Sequence, residues 1–155
     1  MMTDFWHTER PRSRTDRVCP ECRETIPAGS VYIRHAGVSD GDMVSAFQCE
    51  ACDAFAERYL ASLRLSSCVN YDEVTYQFGA LLDEAAEYTG YLWAPEIDGK
   101  SPAERRAAML ALLDAHDADE RQYQEEQKAR HKVVRDAMAA RRARPTAPAT
   151  EQGEG

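Results

Sequence analysis

Cys19 and Cys22 in "CPEC" and Cys49 and Cys52 in "CEAC" form two C-x-x-C pairs separated by 26 residues. A C-x-x-C turn presents two sulfur donors to one face of an ion, and two such turns complete a tetrahedron of four bonds of about 2.3 Å around Zn2+. Two local disulfides and a rubredoxin-like iron site are the competing chemistries. The N-terminus "MMTDFWHTERPRSR" lacks an apolar core of the kind that directs secretion. The expected compartment is therefore the cytoplasm, where paired cysteines more often bind metal or catalyse than cross-link. Iron is disfavoured because Arg23 stands where a rubredoxin knuckle carries glycine, and because "CEAC" heads a helix. Four sulfur ligands fill a tetrahedral ion, whereas a catalytic zinc keeps one position open for water. One structural Zn2+ held by Cys19, Cys22, Cys49 and Cys52 is the expected cofactor, and no enzyme is expected.

Other residues with chemical potential have simpler readings. His35 reads as an exposed strand histidine, with donation toward the sulfur atoms as the alternative. "HDADE", His116 to Glu120, places an imidazole and three carboxylates in little more than one helical turn. It reads as a solvated helix face, although His116 and Glu120 at i, i+4 can share an ion. Cys68 lies outside the pattern and reads as a small buried apolar residue. No glycine-rich phosphate loop, G-x-S-x-G or H-E-x-x-H motif occurs.

The elements that must position the cysteines are legible in outline. "SVYIRHAGV" and "MVSAFQ" flank "SDGD" and read as a β-hairpin with Asp-Gly turn chemistry. From Cys52, the positions Phe55, Ala56, Tyr59, Leu60 and Leu63 recur at helical spacing and predict a helix ending near Ser66. Asn70 and Glu73 resemble a capping box opening a second helix, with Tyr71, Val74, Phe78, Leu81, Leu82, Ala85 and Tyr88 on one face and Gly90 as C-cap. Ser101, Pro102 and Glu104 form a stronger helix start, and no breaker follows until Pro145. The apolar stripe of this third helix, Met109, Leu110 and Leu113, becomes sparse beyond His116.

These readings give an α+β chain. Residues 1–16 are a flexible arm, 17–66 a treble-clef-like zinc module of knuckle, hairpin and helix, and 67–97 a helical extension packed on it. A long helix occupies 101–144 and a disordered tail 145–155. The body, 17–95, is expected to fold without the long helix, its edge closed by Tyr91, Leu92 and Trp93.

The stretch "CPECRETIPAGSVYIRHAG…DG…FQCEAC" resembles small phage-encoded proteins with a C-x-x-C-x-x-x-I-x-x-G-x-x-Y pattern, an Asp-Gly turn and a second C-x-x-C. More loosely it is similar to poly(ADP-ribose) polymerase-type zinc fingers, which carry H-x-x-C as their second pair. The resemblance covers residues 17–60. It implies a treble-clef zinc fold and, through the first group, a phage-encoded protein at work in a bacterial host cell.

Charge narrows the partners. The chain carries a net −8, and residues 37–120 hold 17 acids against five basic residues, while 121–144 hold eight basic residues against three acids. An acidic middle opposes broad duplex binding, because phosphate neutralisation supplies most non-specific affinity. No run reaches the ~18 apolar residues of a membrane span. The expected role is protein–protein interaction, as a regulator or inhibitor of a host factor, through Arg130, Val133, Val134, Met138, Arg141 and Arg142 of the distal helix. An acidic surface or a second copy of the chain would cover that face. The alternative is nucleic-acid binding by the Arg-rich flanks "RPRSRTDR" and "KARHKVVRDAMAARRAR".

The cysteine spacing generates the first test. Purified protein is expected to hold one zinc ion per chain, Cys49→Ala to lose the ion together with the fold of the zinc module, and Cys68→Ser to keep both. Elemental analysis that finds iron, or finds no metal, overturns the assignment.

Overall fold

The computed structural model describes residues 5–39, 41–69, 74–93 and 99–143. The element order is β1 (Phe5–Glu9), β2 (Arg17–Val18), β3 (Thr25–Ile26), β4 (Tyr32–Ser39), β5 (Asp42–Cys49), α1 (Glu50–Leu65), α2 (Leu81–Thr89), a 3-10 turn (Tyr91–Trp93) and α3 (Pro102–Ala143). The chain divides into two compact units, Met1–Ala118 and Asp119–Gly155.

In the first unit, β4 and β5 form the expected antiparallel hairpin, in register from Tyr32↔Cys49 to Ser39↔Asp42. Gly41 turns with a φ of 89°, which a residue without a Cβ adopts at little cost. The register delivers Cys49 at the end of β5, and α1 begins at the next residue. The short β2–β3 pair, Arg17↔Ile26 and Val18↔Thr25, holds the first knuckle between its strands. Knuckle, hairpin and helix therefore follow the expected α+β, treble-clef-like order.

Residues 5–9, expected within a flexible arm, instead form β1 and pair with the free edge of β4 from Phe5↔Val38 to Glu9↔Arg34. An edge strand exposes a row of unpaired backbone groups, and β1 satisfies those of β4. The following residues are fixed as well: Ser13 N–H donates to the Ser30 carbonyl at 2.9 Å, and Gly29 N–H to the Ser13 carbonyl at 2.7 Å.

α1 buries Cys52, Phe55, Ala56, Tyr59 and Leu63, the face expected from their spacing. The second helix differs from expectation. Its proposed Asn70–Glu73 box lies outside the described residues, 74–80 are not helical, and α2 begins only at Leu81. Gly79, with φ at 90°, sets the turn ahead of it. Gly90 closes α2 in the left-handed conformation, as its C-cap position predicts. Tyr91 is buried, while Leu92 is 41% exposed and does not close the core edge. Cys68 is exposed rather than buried, because α1 has already ended at Leu65.

α3 opens on the expected capping box. Glu104 N–H donates to Ser101 Oγ at 3.2 Å, and Ser101 N–H donates to Glu104 Oε2 at 2.7 Å. Within the first unit α3 is not dispensable. Met109 and Leu113 are 0% exposed in the same cluster as Phe55, Tyr59 and Leu81. Burying two such side chains stabilises by about 3–6 kcal/mol, comparable with the whole stability of a small domain. The "HDADE" stretch is not a simple solvated face either. Asp117 is 3% exposed and accepts from Ser62 Oγ at 2.5 Å and from Arg58 at 2.8 Å, while Arg58 also reaches Asp114 at 2.7 Å. His116 lies against the Tyr88 ring at 4.9 Å. Arg106, Met109, Leu113 and Asp117 thus form one stripe, charged at both ends and apolar in the middle.

The second unit contains α3 from Asp119 to Ala143. Its side-chain pairs include Gln122 with Glu126 at 3.0 Å, Gln124 with Glu120 at 3.1 Å and Lys128 with Glu125 at 2.6 Å. No helix of the described residues is long and apolar enough to cross a membrane.

The docking of early α3 predicts that truncation after residue 97 abolishes a cooperative melt. Asp117→Ala is expected to lower stability by about 1–3 kcal/mol, because it leaves the buried Ser62 hydroxyl without its acceptor and Arg58 with Asp114 alone. Urea denaturation measures the loss, and an unchanged midpoint overturns the assignment.

Candidate metal centre

The four sulfur atoms of Cys19, Cys22, Cys49 and Cys52 lie within 4.8 Å of one another. Cys22 Sγ and Cys49 Sγ are 3.8 Å apart. A tetrahedron with bonds of about 2.3 Å has an edge of about 3.8 Å, so this pair already sits at the spacing of a ligand set. All four are free thiols, and 3.8 Å is far beyond the ~2.05 Å of a disulfide. The donor set fits a tetrahedral thiophilic ion, zinc included.

Local backbone explains how each pair is presented. In the first knuckle, Cys19 N–H donates to the Glu24 carbonyl at 2.9 Å, and Arg23 N–H donates to the Cys19 carbonyl at 2.8 Å. Closing this turn requires a left-handed residue, and Arg23 adopts φ 64°. Such a conformation costs a side-chain-bearing residue about 1–2 kcal/mol. Arg23 thus takes up the glycine-like backbone, and its identity does not discriminate zinc from iron. The second pair uses the start of α1. Cys49 is the N-cap residue, and its backbone N–H points at Cys19 Sγ, 3.4 Å away. Cys52 lies in the first turn, where free N–H groups and the helix dipole favour negative sulfur.

The four thiols differ in how readily each carries charge. Hydrogen bonds from the Cys49 and Cys52 thiols hold Cys19 far below the usual thiol range, despite its burial. Burial pushes Cys22 up to about 12. Cys52 is driven strongly upward by the hydrogen bonds it donates to Cys19 and Cys49, with burial adding to the effect. The tetrad thus favours negative charge on Cys19 and disfavours it on Cys22 and Cys52.

Two residues that the spacing arguments passed over tie this centre to the rest of the unit. Glu21, inside the first C-x-x-C and 7% exposed, accepts from Gly79 N–H at 2.8 Å and Leu81 N–H at 3.0 Å. It caps α2, whose own N-cap residue Ala80 offers no side-chain bond. Burial raises the Glu21 carboxyl above its ordinary value, and the two backbone donors offset only part of that. Arg106 of α3 reaches Cys52 Sγ at 3.5 Å and Glu24 Oε2 at 3.4 Å. Burial opposes its charge, but Cys52, Cys22 and Glu24 outweigh that and hold the guanidinium charged. The signal for Arg106 was its place three residues before Met109 on the buried stripe. Nothing local marks Glu21.

The remaining candidates separate. His35 is neither exposed nor a donor to the sulfurs; its side chain is 19% exposed, near Asp53, and its ring lies 5.3 Å from that of Phe78. Among the distal residues, Val133, Val134 and Met138 are 69%, 54% and 59% exposed, and Arg130, Arg141 and Arg142 are also exposed. At the N-terminal flank, Arg12 donates to the Gly29 carbonyl at 2.9 Å, and Arg17 lies 5.0 Å from the centre of the Tyr32 ring. No protein-family model, curated protein or solved structure matches the chain.

The raised Cys22 and Cys52 thiols predict proton release on metal uptake. Zinc added to metal-free protein at neutral pH should liberate about two protons or more per ion, and affinity should fall about a hundredfold or more per pH unit lowered. Titration in weak buffer with a pH indicator measures the first, and a competing chelator the second. An affinity that does not change with pH overturns this account of the tetrad.

Proposed function

We propose that this is a non-catalytic zinc-binding protein that acts by holding another protein, the zinc serving as a folding staple. The carrying observation is the pairing of a closed four-sulfur centre with an exposed apolar stripe, Val133, Val134 and Met138, rimmed by Arg130, Arg141 and Arg142. Four thiolates around one ion leave no position for a substrate or an activated water. Zinc is preferred over iron because the second pair heads a helix instead of closing a second knuckle. An apolar stripe with a basic rim suits an acidic protein surface bearing a shallow hydrophobic groove. The resemblance to phage-encoded proteins makes the partner a factor of the bacterial host cell, which this chain would regulate or inhibit.

Nucleic-acid binding by the arginine flanks is the second reading. Against it at the N-terminal flank, Arg12 is already engaged with the Gly29 carbonyl, and Arg17 with Ser13 and the Tyr32 ring. Phosphate contact by these side chains would first have to break those bonds.

Val134→Asp with Met138→Asp is expected to abolish partner capture while leaving zinc content and melting temperature unchanged. Hydrogen exchange on the free protein should show weak protection beyond about residue 120, since i, i+4 pairs contribute only ~0.2–0.5 kcal/mol each. Strong protection there in dilute solution overturns the partner-covered face. Nucleic-acid binding with a steep salt dependence would shift the assignment to the second reading.

A further inference from the structure

Between the sheet and α1, bounded on one side by residues 74–78, lies a cleft of about 420 Å3. That volume suits a small ligand or a single long side chain. Its floor is polar and deeply buried: Gln48 is 1% exposed and Asp53 8%. Gln48 Nε2 donates to Asp53 Oδ1 at 2.9 Å and faces His35 Nε2 at 3.4 Å, while Gln48 Oε1 accepts from Tyr76 Oη at 3.0 Å. The other ring nitrogen of His35 meets Thr8 Oγ1 at 3.2 Å. Above the floor the walls turn apolar, with Ala56, Leu60, Val74 and Phe78, and Glu57 lies one helical turn along α1 from Asp53.

Within the floor, Gln48 Nε2 already donates to Asp53 Oδ1, and Tyr76 Oη donates to Gln48 Oε1. What the cleft still offers a ligand is acceptor capacity, at Asp53 Oδ2 and at Glu57. The group now nearest Asp53 Oδ2 is a guanidinium, that of Arg10, at a long 3.5 Å; its other nitrogen lies 3.7 Å from Glu50. The Arg10 side chain is 63% exposed, so it meets the carboxylate from the solvent side of the cleft. Three carboxylates against one guanidinium also make the mouth unfavourable for anions.

We propose that this cleft is a receptor for an alkylammonium or alkylguanidinium group. Its charge meets Asp53, its stem lies along Leu60, Val74 and Phe78, and Arg10 is the internal occupant that it displaces. The shared chemistry has two sources, a lysine or arginine side chain of a partner protein and a free polyamine. This site lies in the first unit and stands independently of the apolar stripe of the distal helix, so either can fail alone.

The test uses full-length zinc-loaded protein, with n-butylammonium and n-butylguanidinium as probes and 1-butanol as the uncharged control. The ring resonances of His35 and Tyr76 report binding. Both cations are expected to give saturable shifts and butanol none. Arg10→Ala should tighten cation binding about two- to fivefold, the worth of a solvent-exposed ion pair, and Asp53→Asn should weaken it roughly tenfold or more. Where Asp53→Asn fails to retain zinc, Arg10→Ala decides. A capped tripeptide with a central lysine that binds as well as butylammonium assigns the site to a protein side chain. Exclusion of that tripeptide while spermidine binds assigns it to a free polyamine. Absence of saturable shifts with either cation, in the wild type and in Arg10→Ala, overturns the proposal. So does an equal response to butanol, and so does weaker cation binding by Arg10→Ala.

Discussion

Four sulfur atoms enclosed within 4.8 Å cannot all carry charge unless a cation joins them. The surrounding structure follows from that constraint. The knuckle accepts a strained residue at Arg23 to aim Cys19 and Cys22, and the hairpin register brings Cys49 to the start of a helix. Arg106 then reaches across from α3 with the positive charge that a four-thiolate centre lacks even when a divalent ion is bound. Replacing Arg106 by a neutral residue would remove the buried cation beside Cys52 and leave Glu24, which is exposed, without that partner.

The two halves of α3 answer to different physics. Through Asp117 the helix is held by Met109 and Leu113 at its centre and by buried charge at either end. From Asp119 onward its side chains are largely exposed, and the large apolar ones are among the most accessible in the chain. A helix without a buried face gains little from propensity alone. Its valines and methionine are exposed, whereas Met109 and Leu113 of the first half are buried.

What could be read from sequence was local, and what could not was distant. The C-x-x-C spacing, the Ser101–Glu104 box, the Gly90 cap and the hairpin turning at Gly41 each involve a handful of neighbouring residues and are found as expected. Asp40 of that turn lies outside the described residues. The misplacements have another origin. β1 forms because β4 has an open edge, which "FWHTE" does not announce by itself. α2 starts late because its first donors are met by Glu21, about 60 positions away. Asp117 is buried because Ser62 and Arg58 of α1 wait for it, so a run of carboxylates that looks solvated hides one that is not. His35 likewise depends on Asp53 and Gln48 for its setting, and no periodicity connects the three.

The cap that Glu21 supplies to α2 also bears on the order in which the chain assembles. α2 has nine residues, fewer than an isolated helix needs to persist in water. Its first turn is completed by the side chain of Glu21, which lies between Cys19 and Cys22 in the first knuckle. Before that loop exists, α2 has neither a cap nor a surface to lie on. Afterwards the long-range closure has already been made, and the helix adds only local entropy loss. The contacts of α2 therefore depend on the knuckle, and those of the knuckle do not depend on α2.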